Sequence, residues 1–129
     1  MSITVPVSLG ELLDKISILL IKKINIKDQK KLTYITKELN QLNDILEKSN
    51  VDKNKITSFL EELKLINLKL WTIEDKIREH EKDKNFGKSF IDLARSVYIN
   101  NDERAKIKMK INEIFDSEII EVKSYKDYK

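Results

Sequence analysis

The sequence predicts an all-α protein. The expected architecture is an antiparallel bundle of two or three long helices, followed by a short helical hairpin and preceded by an extended N-terminal arm. Three observations carry this. Apolar residues recur at helical spacing over most of the chain. The chain has only two Gly and one Pro, too few for the turns of a β sandwich or barrel. Its 129 residues match one domain of ordinary size, able to bury a core of its own.

The elements follow in order. Residues 2–7 are rich in β-branched side chains and contain Pro6, which favours extended backbone. Ser8 and Glu11 form a capping box, with Val7 and Leu12 placed as its hydrophobic staple. The first helix then runs to about Ile24 on Leu9, Leu12, Leu13, Ile16, Leu19, Leu20 and Ile24. After a break at Asn25–Asp28, a second helix from Gln29 to Lys48 repeats Leu32, Ile35, Leu39, Leu42 and Leu46 in a heptad seam. Asp52 can cap a third helix, which extends to about Lys82 on Ile56, Phe59, Leu63, Ile66, Leu70, Ile73 and Ile77. Asp83–Gly87 reads as a break. A fourth helix is expected from Lys88 to Ile99, a tight turn at Asn100-Asn101-Asp102, and a fifth helix from Glu103 to Phe115. Residues 116–129 form a charged tail expected to be at best partly ordered. The whole is read as one helical domain without internal repeats.

Composition removes several function classes. There is no Cys, hence no disulfide scaffold, thiolate metal site or thiol nucleophile. Twenty-five basic residues nearly cancel 22 acidic ones, and the two signs are interleaved along each helix, so nucleic acid is not an expected partner. The longest apolar run, Ile16–Ile21, is far too short to span a membrane, and no secretory signal opens the chain. A soluble cytoplasmic protein is the expectation. With two Gly there is no Gly-rich phosphate loop, and the single His80 has no Ser in a strained elbow to accompany it.

Lysine is spread over every helix, whereas the three Arg residues, Arg78, Arg95 and Arg104, fall within 27 consecutive positions. The guanidinium fork does what Lys cannot, so this segment attracts notice. Asn67, Trp71, Glu74, Arg78 and Glu81 share one face of the third helix, with Asp75 and His80 beside it. Tyr98, Asn101, Asp102 and Arg104 gather at the expected turn. The candidate binding set is therefore Asn67, Trp71, Glu74, Asp75, Arg78, Arg95, Tyr98, Asn101, Asp102 and Arg104, around an anionic ligand. The competing account is structural. Glu74–Arg78 is then a surface ion pair, Trp71 a core anchor, and Arg104 the partner of Asp102, Glu74 or Asp75. No catalytic residue, cofactor or metal is assigned. Glu11-x-x-Asp14 and Glu118-x-x-Glu121 have the spacing of Mg²⁺-binding helices in all-α nucleotide pyrophosphohydrolases, but the cap accounts for Glu11, and Glu118 and Glu121 lie in the tail.

Four segments resemble a small family of bacterial and phage proteins classed only as a domain of unknown function. They are Val5–Ile16 (VPVSLGELLDKI), Asn67–Arg78 (NLKLWTIEDKIR), Phe90–Tyr98 (FIDLARSVY) and Asn101–Ala105 (NDERA). The resemblance spans Val5 to about Tyr128 and implies a complete protein rather than a fragment. Its matching polar positions are Glu11, Asp14, Lys15, Asn67, Glu74, Asp75, Arg78, Arg95, Asn101, Asp102 and Arg104. It implies no activity. The expected mode of action is self-association, since Leu60, Leu65 and Leu68 lie partly outside the main seam of the third helix, with a homodimer as the default assembly. The alternative is a binder or enzyme for a small anionic ligand, with a nucleotide or phosphate as the chemistry considered, between the third helix and the terminal hairpin.

Overall fold

Short polar side chains start each of the first three helices in the computed structural model, which describes residues 1–129. Ser8 Oγ accepts from the Glu11 N–H at 3.1 Å and opens α1 (Leu9–Asn25). Asp28 accepts from the Lys31 N–H at 3.0 Å and opens α2 (Gln29–Lys48). Asp52 does the same for α3 (Lys53–Lys82) through the Asn54 N–H. These caps satisfy backbone donors that have no partner inside the helix. α4 (Lys88–Ile114) starts at Gly87 without a side-chain cap. There are no strands.

The expected break at Asn100-Asn101-Asp102 does not occur, and the short terminal hairpin is replaced by one 27-residue helix. Asn and Asp end helices when their side chains capture nearby backbone groups. Here Asn100 Nδ2 donates to the Ser96 carbonyl at 2.7 Å, four residues back and along the helix. The Asp102 carboxylate makes no bond to a local amide and instead lies near the Tyr128 hydroxyl, whose pKa it raises. With no Gly or Pro in the segment, the helical hydrogen bonds run through it.

The true break lies at Asp83–Gly87. There Lys84 takes a left-handed φ of 54°, the Asn85 N–H reaches the His80 carbonyl at 2.9 Å, and the Lys84 N–H reaches Glu81 at 3.1 Å. That is a Schellman closure. α4 ends in the same way, with Asp116 at φ 51° and the Ser117 N–H on the Asn112 carbonyl at 2.8 Å.

α1 sits at the centre and packs against α2, α3 and α4, while α3 lies along α4. α2 makes its close backbone approach to α1 alone. Residue numbers rise along α1 as they fall along α4: Gly10 meets Asn112 and Asp14 meets Arg104. Leu13, Ile16, Leu63 and Ile111 form the driest part of the core, extended by Leu12, Leu19, Ile35, Leu39, Leu46, Ile56 and Ile66. Phe59 of α3 meets Phe115 edge to face, centroids 6.2 Å apart.

The 17 residues of α1 reach only about 25 Å, against about 45 Å for the 30 of α3. α1 therefore covers one end of the α3–α4 pair. None of residues 68–107 is fully buried. Beyond α4 the chain turns back along it: Glu121 reaches Lys108, and Tyr128 packs against Tyr98. No helix is long and apolar enough to cross a membrane.

Candidate functional site

A second stripe on α1 runs beside its apolar one. Gly10, Asp14, Ser17 and Ile21 fall at steps of four, three and four, and all four are buried. Gly10 lets α1 approach α4: a Cβ there would lie 2.6 Å from the Lys108 carbonyl oxygen and 2.9 Å from Asn112 Oδ1. The Gly10 N–H donates to that Asn112 oxygen at 2.8 Å.

The close approach brings α4 cations onto α1 carboxylates. Asp14 is completely buried. Its Oδ1 accepts from Arg104 Nε at 2.9 Å and from Asn67 Nδ2 of α3 at 2.8 Å, and its Oδ2 accepts from the Arg104 terminal nitrogen. The fork is therefore bidentate. Asn67 Nδ2 also donates to Ser17 Oγ at 2.8 Å, and that hydroxyl donates to the Asp14 carbonyl at 2.7 Å. One turn along α4, Lys108 Nζ lies 2.6 Å from Glu11, 2.9 Å from Glu121 and 3.9 Å from Asp14. No buried side-chain polar atom is left without a partner.

Charge explains the titration of these groups. The hydrogen bond to Asp14 raises the Arg104 pKa above its ordinary value against the opposing effect of burial. For Lys108, burial pushes the pKa down most strongly, but the bonds to Glu11 and Glu121 and the nearby Asp14 together push it up, and the net shift is upward. Glu121 is held down at about 2 by Lys123 and Lys108.

The residues singled out by sequence are divided between the two sides of α4. Asn67, Trp71, Glu74, Asp75, Asn101 and Arg104 line a cleft of about 420 Å³ with Ile18, Ile21, Lys22 and Leu70. Tyr98, Asn101, Asp102 and Arg104 line a second cavity of about 700 Å³, closed on its far side by the C-terminal segment. The three arginines do not converge. Arg78 is exposed and lies 3.5 Å from Glu74, a surface pair, and Arg95 is exposed outside both clefts.

Two sequence inferences change. The partner of Arg104 is Asp14 on α1, not Asp102, Glu74 or Asp75, because the α1–α4 contact places that carboxylate in the core beside it. Glu11 does not close the capping box with its side chain. Ser8 caps as expected, but the Glu11 carboxylate turns to Lys108. Sequence reasoning met Asp14 only as half of a carboxylate pair and as a position of the family resemblance, and did not single out Ser17, Lys108 and Asn112. The available signal was the small and polar stripe 10-14-17 on a helix that is otherwise apolar on its inner side.

Chemically, the buried network is a clamp. Both Asp14 oxygens are occupied, and Arg104 is held by one edge of its guanidinium while its side chain keeps 28% of its exposure. No three His, Cys, Asp or Glu side chains gather as a metal-binding group. No curated protein matches this chain. No solved structure matches it either. A family model does, over residues 3–128, and the chain belongs to that family of unknown function, DUF6165.

Proposed function

We propose that the chain acts by association, as a helical module that pairs with a second copy of itself through the uncovered part of the α3–α4 pair. One observation carries the reading: none of residues 68–107 is fully buried, although the apolar seam continues there through Leu70, Ile73, Ile77, Phe90, Leu93 and Val97. α1 is too short to cover it. The accessible surface points the same way. It is 9562 Å², about a third above the roughly 7,100 Å² that size scaling gives for a folded monomer of this mass. Part of that excess lies on residues 1–7 and 118–129, which are exposed, and the rest is shared by the uncovered helices. Leu65 and Leu68 on α3 and Ile91 and Ile99 on α4 offer exposed apolar contacts.

A homodimer is the simplest closed assembly of such a face. Light scattering tests it. The expected mass is twice the 15.2 kDa of the chain, falling to the single value in Ile91→Asp and Ile99→Asp, which alter exposed side chains only. A 15.2 kDa species at the highest concentration reachable overturns the proposal.

A further inference from the structure

The cavity between α4 and the C-terminal segment has a chemistry that self-association does not use. We propose that it binds a small anion of the nucleoside monophosphate class, a planar base carrying a phosphate. Its volume of about 700 Å³ lies within the roughly 300–1,000 Å³ of small-molecule sites.

The cationic side is selective once its ion pairs are counted. Lys106 holds Glu103, Lys108 holds Glu11 and Glu121, and Lys123 holds Glu121. Lys126 and Lys129, which also line the cavity, have no carboxylate partner. Arg104 is the fixed element. Its Nε and one terminal nitrogen face Asp14, and Asp14 is itself held by Asn67. A guanidinium carries five N–H donors, so the remaining ones are free to meet an oxyanion without further loss of side-chain freedom. One oriented fork beside two mobile ammonium groups suits a phosphate.

The aromatic side suits a ring. Tyr98 and Tyr128 meet edge to face at 5.0 Å and make a corner, and Tyr125 lines the same cavity with most of its surface exposed. Tyrosine faces stack planar heterocycles with little specificity for the base. The only carboxylate side chain in the lining is Asp102, which faces the Tyr128 hydroxyl and raises its pKa.

Calorimetric titration of the full chain tests the site, with adenosine monophosphate as probe and inorganic phosphate and adenosine as separate arms. The expected result is saturable binding of the nucleotide, weaker by about tenfold or more for either half alone. Tyr125→Ala and Lys126→Glu should each weaken nucleotide binding by about tenfold while leaving the thermal melt unchanged, because both side chains lie outside the core. Arg104 is left intact because it also holds Asp14. Absence of saturable nucleotide binding overturns the proposal. So does inorganic phosphate binding as tightly as the nucleotide, or unchanged affinity in both variants. The oligomeric state of the chain enters none of these outcomes.

Discussion

Asp14 is buried completely in a helix that carries the centre of the hydrophobic core, so its carboxylate depends on its partners. Removing one partner of such a pair leaves the other uncompensated. Asp14→Ala is expected to cost about 3–5 kcal/mol in urea denaturation, whereas an apolar pair at 14 and 104 recovers most of that loss. A double-mutant cycle on Asp14→Leu and Arg104→Met measures the coupling, and simple additivity of the two losses would show that the pair contributes nothing jointly. Arg104 was legible in the sequence because arginine is rare there. Its partner was not. The spacing of residues along one helix ranks neighbours on that helix, and Asp14 lies 90 positions away on another element. The capping box was half legible for the same reason. Ser8 acts on its own turn, but the side chain of Glu11 was open to competition from Lys108, which only the tertiary contact supplies.

At the scale of elements, α1, α2 and α3 could be read closely from sequence, because each has an Asx or Ser cap and a sustained apolar rhythm. α4 could not. Its segment 100–102 has the residue types of a turn, but the Asn100 side chain bonds back along the helix and Asp102 is drawn to the C-terminal Tyr128, and propensity yields to the tertiary context. The register of α1 against α4 rests on Gly10. The atom that a methyl group would meet first is a backbone carbonyl oxygen, at 2.6 Å, which cannot rotate aside. Gly10→Ala is therefore expected to cost about 1–3 kcal/mol, read as a lowered denaturation midpoint with the slope unchanged. A stability equal to that of the parent would show that α1 shifts freely on α4. The glycine was visible in the sequence only as an isolated residue near a helix start, where it reads as a weak helix former.

For the whole molecule, the C-terminal segment is attached by polar tips and ring edges, so its docking follows pH. Glu121 has its pKa depressed to about 2, by Lys123 first and then Lys108. Its contribution is complete above the ordinary carboxylate value of 4.5 and disappears as pH falls toward 2. Tyr128 has its pKa raised to about 12, chiefly by the Asp102 carboxylate beside its hydroxyl. That contact is complete below 10 and is lost as pH rises through 12. The segment is expected to stay docked between these limits and to release at both extremes, and less firmly at high salt because the groups are exposed. Ring resonances of Tyr98 and Tyr128 report it. Shifts that stay constant from neutral pH down to 2 would show that Glu121 does not hold the segment. Sequence reading expected partial order in this charged stretch; the contacts come from α4 side chains that only the fold brings alongside.

The placement of α1 also sets an order in time. Asp14 waits for Arg104 through 90 further residues, on the order of ten seconds at ribosomal rates of about 5–20 residues per second. During that interval α2 and α3 both become available to pack on α1, and α3 brings Asn67 to Asp14 and Ser17. Packing that covers the Asp14 carboxylate without a cation beside it leaves a charge uncompensated in the dry, and is penalised. What stays open for the last helix made is the Gly10 approach and the carboxylate edge of Asp14 that Arg104 takes.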